Sequence, residues 1–325
     1  VVVIGRNEGE RLRRSLISAG RSEHPVIYVD SDSSDSSCSL ARELGVHVVE
    51  LDPAQPLSAA RARNAGAAAL IELAQKCEFI CFIDGDCELS SEWIEVAAQH
   101  LSTHKEIAAV AGRRRERSPQ DSIWNRICDI EWNTSVGLID ATGGDFVIRT
   151  AAFNAVGGFN ETFVAGEEPE LGLRLHREGW KIERLDAEMT IHDAEITRFS
   201  QWWQRCRRAG QAFLQGHLVH ASGPEHFWRR EALRPLIWAV LLPALVLTAS
   251  IFSSDLSLAI AALFPLQFAR IALRELRKGR SLFDAVIYSL ACLVGHFAEL
   301  SGQASYLLRR LNGHSPSLVE YKEVP

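Results

Sequence analysis

The sequence predicts an α/β domain with a doubly wound, mostly parallel sheet flanked by helices, followed by membrane-associated helices. Short apolar runs alternate with segments of helical spacing over the first part of the chain, an order typical of a parallel sheet. Beyond about residue 230 this pattern gives way to long apolar runs. We therefore expect an α/β domain over residues 1–228 and a membrane region with two or three hydrophobic helices over residues 229–325.

Composition excludes some classes of protein. The chain has 325 residues, a formal net charge of -6 and a pI of about 6.0, which argues against a nucleic-acid partner. Its seven cysteines form no C-x-x-C pair, and most of them are interpreted as small hydrophobes in a reducing compartment. The sequence begins in a strand without Met, so we expect residues to precede it, and no targeting signal can be judged.

The opening of the chain reads as a β-α-β-α-β unit. The predicted elements are a strand at Val1–Ile4, a helix at Glu10–Ala19, a strand at Val26–Val29, a helix at Cys38–Leu44 and a strand at Val46–Leu51. Such a sheet binds ligands at the carboxyl ends of its strands. No G-x-G-x-x-G follows the first strand, which disfavours a dinucleotide cofactor.

Polar clusters follow the predicted strands. The loop Asp30-Ser31-Asp32 could hold a base and ribose by hydrogen bonds, and it could equally cap the next helix. Arg61 and Arg63 lie near the start of an Ala-rich helix that runs to about Gln75. Cationic side chains and free N–H groups at a helix start favour an anion, although such a pair alone is more often a solvated basic face.

The turn Asp84-Gly85-Asp86 follows the apolar strand Phe79–Ile83. Two carboxylates this close repel each other unless a cation neutralises them. Carboxylate oxygens suit Mg²⁺ or Mn²⁺, which also bind a substrate's phosphates. The alternative is an ordinary polar turn, because Asp and Gly are common turn residues.

Further along the chain, the pattern predicts a helix at Ser90–His100, a strand at Ile107–Ala111, strands at Trp180–Ile182 and Met189–Asp193, and a helix at Ser200–Leu214. The basic run Arg113–Arg117 is expected to be a loop, either solvated or facing phosphates. Gly143 and Gly144 form a turn that enters another strand.

Two later motifs contribute candidate site residues. Glu167 and Glu168 fall in the first turn of a helix that contains Pro169. They suit the positive helix end, and either could take a proton from an attacking hydroxyl. His192 is a possible third metal ligand, or an ordinary core histidine.

The order of these motifs resembles family 2 glycosyltransferases with a GT-A fold, from Val1 to about Leu214. The matching motifs are Val3–Glu8, Val29–Asp35, Arg61–Gly66, Asp84–Asp86, Gly143–Asp145, Gly157–Glu161 and Gly166–Leu171. The resemblance implies inverting transfer from a nucleotide-diphosphate sugar with a divalent metal on the diphosphate.

The resemblance also assigns roles to residues. It places Asp30, Asp32, Arg61 and Asn64 with the donor nucleotide, together with Asp84 and Asp86, and makes Asp86 a stronger metal ligand than Asp84. His192 joins them as a candidate ligand on its chemistry alone. Glu168 falls where the family usually has an Asp as general base, and Glu167 is a rival. Gly144, Asp145 and Arg207 fall on the acceptor side. Processive synthases of this fold carry Q-x-x-R-W, whereas this chain has Arg208 in place of the Trp, which disfavours a processive polymerase.

Three apolar segments follow, at Leu233–Phe252, Leu256–Leu273 and Leu282–Leu300. The first two are long enough to span a bilayer, and their basic flanks should face the cytoplasm. The third is a poorer candidate, because it holds His296 and Glu299, and it could be interfacial, re-entrant or packed on the others. The alternative is a buried helical bundle of a soluble domain.

The sequence thus predicts a glycosyltransferase that uses Mg²⁺ or Mn²⁺ and acts on a lipid-linked or saccharide acceptor. We expect it in the inner cell membrane with its catalytic domain in the cytoplasm. The alternative is a non-catalytic nucleotide-sugar-binding or scaffold protein with a degenerate site. A nucleotidyltransferase is disfavoured, because no glycine-rich loop with Lys or Arg follows the first strand.

Overall fold

The computed structural model describes residues 1–74 and 76–313. The chain divides into two compact units. The first comprises Val1–Arg117 and Glu131–Ala194, and the second comprises Ser118–Ile130 and the chain from Glu195 onwards.

The first unit is built on one mixed sheet. Its strands are β1 (Val2–Gly5), β2 (Ile27–Asp30), β3 (His47–Glu50), β4 (Phe79–Asp84), β5 (Cys87–Leu89), β6 (Ile107–Glu116), β7 (Gly137–Ile139), β8 (Phe146–Arg149) and β9 (Lys181–His192). Their order is β3-β2-β1-β4-β8-β6-β9-β5, with β7 paired to β9. The first four strands in this order are parallel, while β8 runs antiparallel to both its neighbours. The predicted α/β fold is confirmed.

Helices cover this sheet and form the second unit. They are α1 (Glu10–Ala19), α2 (Ser37–Glu43), α3 (Ala59–Leu73), α4 (Trp93–Thr103), α5 (Ile123–Trp132), α6 (Thr150–Ala155), α7 (Glu167–Arg177), α8 (Phe199–Val219), α9 (Arg229–Leu236), α10 (Leu242–Phe252), α11 (Ser254–Ala261), α12 (Leu263–Arg277) and α13 (Leu282–Leu311). A π-helical turn, Ile237–Leu241, joins α9 to α10. Helix α3 ends at Leu73, and its expected end, Gln75, lies outside the described residues.

Several predicted boundaries were wrong. The basic run at 113–117 is not a loop, because β6 continues to Glu116. Arg113 is buried and Arg114 is ion-paired. Charged residues therefore form part of a strand here, although a charged run in a sequence usually indicates a loop. The two strands expected at 180–182 and 189–193 are one long strand, β9. Helix α4 starts at Trp93 rather than Ser90, and α8 continues five residues beyond Leu214.

The core of the first unit brings α3 close to the sheet. The strands β1 and β4 contribute fully buried side chains such as Val2, Ile80 and Phe82. Gly66 on α3 faces Val2, and a Cβ there would overlap the valine side chain. Because glycine permits this approach, α3 lies directly on β1 with its N-terminal turn beside the carboxyl edge of the sheet.

The second unit contains three helical segments long and apolar enough to cross a membrane, among the residues that the structure describes. They are Arg229–Phe252, Ser254–Arg277 and Leu282–Leu311, with mean hydropathies of 2.2, 1.8 and 1.4. The third lies closely along α8. A Cβ at Gly210 of α8 would overlap the backbone of Glu299, and one at Gly302 of α13 would overlap the Arg207 carbonyl.

Glycine at 302 should therefore be essential for packing. We expect Gly302→Ala to lower stability by about 1–3 kcal/mol, the usual effect of overpacking. Gly295→Ala is the matched control on the same helix, because the nearest atoms to its Cβ would be 3.9 Å away and alanine favours helix by about 1 kcal/mol. Thermal unfolding in detergent measures both variants, and equal melting temperatures would contradict this packing.

Candidate active site

Charged side chains converge at the carboxyl edge of the sheet, around the end of β4. Asp84 is the last residue of that strand. The Arg63 Nη2 atom donates to its Oδ1 atom over 2.8 Å, and the Arg114 Nη2 atom donates to its Oδ2 atom over 2.8 Å. Burial alone would raise the pKa of Asp84, but the two guanidinium groups hold it below its usual range.

Arg63 joins this carboxylate to the start of α7. Its side chain is only 3% exposed. The Nη1 atom donates to the Glu167 Oε1 atom over 2.8 Å and lies 3.2 Å from the Glu168 Oε1 atom. Burial opposes the charge on Arg63, but the three carboxylates raise the pKa of its guanidinium above the usual value. One buried cation thus joins the end of β4 to the start of α7.

Glu168 has the electrostatics of a proton acceptor. Burial and the neighbouring Glu167 charge raise its pKa to about 7, although Arg63 acts in the opposite direction. Its side chain is 14% exposed, against 4% for Glu167. Glu168 therefore combines access with a pKa near neutrality, the property that a general base needs.

Asp86 pairs with a different partner. Its Oδ2 atom lies 3.0 Å from the Nε2 atom of His192, at the end of β9, and β5 pairs antiparallel with that strand. Asp86, Cys87 and His192 place their ligand atoms within 4.8 Å of one another. Burial raises the pKa of the Cys87 thiol well above its usual value, so Cys87 stays protonated and offers a poor ligand to a hard cation. The carboxylate and the imidazole fit such an ion.

Gly144 and Asp145 support this edge of the sheet. A Cβ at Gly144 would lie 2.5 Å from the Asp84 Oδ2 atom, so only glycine allows the backbone to pass. The Asp145 carboxylate accepts the backbone N–H of Asp84 over 3.0 Å and the Thr190 hydroxyl over 2.7 Å. Both residues therefore fix the position of Asp84.

The Asp/Ser loop after β2 is ordered by its own hydrogen bonds. Asp30 accepts the Tyr28 hydroxyl over 2.7 Å and the Ser33 backbone N–H over 2.8 Å. Asp32 is exposed and has a φ of 64°, in the left-handed region that costs free energy for a residue other than glycine. This preformed loop lies beside β1 and presents the Asp32 side chain to solvent.

Three other candidate residues do not join the carboxylate cluster. The Arg61 Nη1 atom donates to carbonyls of the 52–56 loop, including that of Asp52 over 3.0 Å. Asn64 binds the backbone of Phe159 through both amide atoms. Arg207 lies on α8 in the second unit, where its Nη2 atom donates to the Ser305 hydroxyl over 2.7 Å.

Three residues of the cluster are absent from the predicted site, namely Arg63, Arg114 and Trp132. Arg114 sits in the supposed basic loop, yet its Nε atom lies 3.1 Å from the Asp145 Oδ2 atom in addition to its bond with Asp84. Trp132 contacts Arg114 and His192 with its ring. The apolar run that starts at Ile107 gives no sign that the strand continues through Arg114, because residues 107–113 are all buried without alternation, and nothing in the sequence marks Trp132.

Comparisons with known proteins identify the family. The model of glycosyl transferase family 2 matches residues 1–159, and that of glycosyl transferase family group 2 matches residues 128–273. This chain belongs to the family 2 glycosyltransferases. The predicted family and enzyme class are thereby confirmed.

Relatives of this glycosyltransferase act in different systems. It is 22% identical to a beta-monoglucosyldiacylglycerol synthase of Trichormus variabilis over 224 residues, which cover 64% of this chain and 47% of that protein. It is 25% identical to the succinoglycan biosynthesis protein ExoA of Rhizobium meliloti over 207 residues, which cover 60% of this chain and 61% of ExoA. The glycosyltransferase thus spans about half the length of the first of these curated relatives.

A solved structure supports the GT-A fold. The mannosyltransferase PcManGT of Pyrobaculum calidifontis, in complex with GDP-Man and Mn²⁺, superposes with a TM-score of 0.63 at 17% identity. The match covers 94% of this chain and 86% of that chain. At this level of identity the likeness concerns the fold.

Removing Arg63 should destabilise the protein strongly. We expect Arg63→Met to lower stability by about 3–5 kcal/mol, because it leaves buried carboxylates without their cation. Arg61→Met, two residues earlier on the same helix, removes only contacts with loop carbonyls and should cost far less. Thermal unfolding of the two variants tests this, and equal losses would show that Arg63 is not the centre of the cluster.

The raised pKa of Glu168 predicts a stability effect that depends on pH. The pKa of about 7 in the folded state lies above the ordinary glutamate value, so the folded protein loses stability as pH rises from about 4.5 through 7. Glu168→Gln does not titrate, and its melting temperature relative to wild type should increase over this range. Melting curves in EDTA measure this. The exposed Glu72→Gln is the control, and a difference between Glu168→Gln and wild type that does not change with pH would contradict the prediction.

Proposed function

We propose that this glycosyltransferase moves a sugar, with inversion, from a nucleotide-diphosphate sugar to a hydroxyl of a membrane-associated acceptor, either lipid-linked or saccharide. One observation carries the proposal. The buried Arg63 guanidinium contacts Asp84 on one side and the Glu167 and Glu168 carboxylates on the other. Asp84, at the edge of the sheet where the donor would bind, and Glu168, whose pKa is raised, are thereby held in fixed positions relative to each other.

The donor would lie along the carboxyl edge of the parallel strands. The preformed loop with Asp30 and Asp32 would hold the nucleoside, and the turn at Asp84 and Asp86 would face the diphosphate. Because the Arg61 and Asn64 side chains are engaged elsewhere, we assign them to support of the donor site rather than to direct contact. GDP-Man, present in the similar mannosyltransferase structure, is the first donor to test.

Asp86 and His192 would hold a Mg²⁺ or Mn²⁺ ion. Both carboxylate oxygens of Asp84 are already bound by guanidinium groups, so we rank Asp84 below Asp86 as a ligand. When bound, the ion neutralises charge that develops on the leaving diphosphate. The two arginines add fixed positive charge beside it.

Glu168 is the proposed general base. Inversion requires a single displacement, in which an acceptor hydroxyl attacks the anomeric carbon and loses its proton. Glu168 would accept this proton at a carboxylate oxygen, and its raised pKa makes it a stronger base than an exposed glutamate. The more buried Glu167 binds Arg63 directly and would hold that cation in place. Gly144 and Asp145 would shape the acceptor side by fixing the backbone next to Asp84.

The membrane region would bring the enzyme to its acceptor. We propose residues 1–228 as the catalytic domain and 229–325 as the membrane region, with the catalytic domain in the cytoplasm at the inner membrane. The three apolar helices support this proposal. So do the basic residues at their ends, since Arg229 and Arg230 begin the first segment and Arg274 and Arg277 lie at the end of the second. Arg207 on α8 is a candidate for contact with an acceptor headgroup.

Variants of Glu168 and Asp86 test the roles of general base and metal ligand separately. We expect Glu168→Gln to lower kcat by about 10²–10⁴-fold with little change in the donor KM, whereas Glu167→Gln should lower stability as well. Asp86→Asn should abolish stimulation by Mn²⁺. Release of nucleoside diphosphate from a panel of nucleotide sugars, with membrane lipid as acceptor, provides the assay. Full activity of Glu168→Gln would overturn its role, and absence of transfer with every donor would overturn the proposed reaction.

Orientation in the membrane has its own test. In a bacterial host, alkaline phosphatase fused after Ser254 should be active, because that turn would lie outside the cytoplasm. The same reporter fused after Arg280 should be inactive. The reverse pattern would place the catalytic domain on the other side of the membrane.

A further inference from the structure

Trp132, the last residue of α5, contacts the partners of both carboxylates in the Asp84-Gly85-Asp86 turn. The Arg114 guanidinium lies over its ring, 5.1 Å from the centroid. The His192 imidazole packs against the same ring in a T-shaped arrangement, with the centroids 4.5 Å apart. Arg114 binds Asp84 and His192 pairs with Asp86. The Trp132 indole therefore contacts a direct partner of each carboxylate.

We propose that Trp132 is a positioning residue that fixes His192 and Arg114 relative to each other and so sets the affinity of this site for a divalent cation. The inference rests on the proposed function, in which Asp86 and His192 hold the metal. Nothing in the proposal requires Trp132 to touch the metal or the sugar.

The geometry supports this role for His192. An imidazole ligates a metal well only when its ring plane is fixed, and groups next to the ligand usually fix it. The Asp86 carboxylate lies 3.0 Å from one ring nitrogen and fixes the position of that atom. The Trp132 ring packs on the imidazole at an interplanar angle of 78° and so acts on the plane of the ring.

The same ring acts on Arg114. The guanidinium binds Asp84, Asp145 and the Cys87 Sγ atom, and the indole covers it from another side. A cation over an indole face gains about 0.5–2 kcal/mol, more when water is excluded. Trp132 therefore keeps Arg114 on Asp84, so that a metal would bind through Asp86 and His192.

The test measures binding of Mn²⁺ alone to the full chain in detergent, by the electron paramagnetic resonance signal of the free ion. Trp132→Leu keeps an apolar side chain but removes the aromatic ring, and we expect it to weaken Mn²⁺ binding by about tenfold or more. Trp132→Phe retains a ring and should recover most of the affinity. Trp180→Leu, at the other end of β9, is the matched control and should bind like wild type.

A second readout uses tryptophan emission. Mn²⁺ beside His192 should quench Trp132 in the wild type, and Trp132→Phe should lose that part of the quenching even where its affinity is unchanged. This readout locates the ion beside Trp132. If Trp132→Leu does not fold, Trp132→Met, which also lacks the ring, takes its place in the Mn²⁺ titration.

Failure of the positioning role and failure of the metal site give different results. If Trp132→Leu binds Mn²⁺ as tightly as wild type at the same melting temperature, the positioning role is overturned while the metal site stands. If wild type and Asp86→Asn bind Mn²⁺ equally, the metal site itself is overturned, and the inference falls with it.

Discussion

The buried guanidinium of Arg63 is the interaction on which this site depends. It is surrounded by Asp84, Glu167 and Glu168, which come from opposite sides of the cluster and would repel one another without it. A buried charge is tolerated only when it is paired and hydrogen-bonded, so the positions of the three carboxylates and of Arg63 determine one another. The end of β4 and the start of α7 are thereby joined through α3.

The charge balance of the cluster explains its chemistry. Five carboxylates, those of Asp84, Asp86, Asp145, Glu167 and Glu168, lie around the Arg63 and Arg114 guanidinium groups. Burial is the main cause of the raised pKa of Glu168, and the neighbouring Glu167 charge adds to it. In the proposed function, the negative charge of the same cluster would favour a divalent cation at Asp86. The cluster sacrifices some stability at neutral pH, as functional sites commonly do.

Sequence reasoning located the edge of the sheet and most of its acidic residues, because they follow apolar strands whose order identifies the carboxyl ends. It selected Arg61 for the donor site, whereas the side chain that contacts the carboxylates is that of Arg63. Residues two apart on a helix face opposite directions, and the phase of α3 is set by the contact of Gly66 with Val2. Arg114 was not predicted, because the charged run at 113–117 suggests a loop unless the partners of its side chains are known. The contacts of Trp132 join segments distant in sequence, which no local pattern encodes.

The stereochemistry of the product is the most direct evidence for or against Glu168 as the base. If Arg63 holds Glu168 as a base opposite the leaving diphosphate, transfer is one displacement and an α-linked donor gives a β-linked product. Nuclear magnetic resonance of the anomeric proton in the isolated product distinguishes the two configurations. We predict the β-linked product from every α-linked donor that the enzyme accepts. A product with retained α configuration would contradict it, because retention cannot result from a single displacement assisted by Glu168.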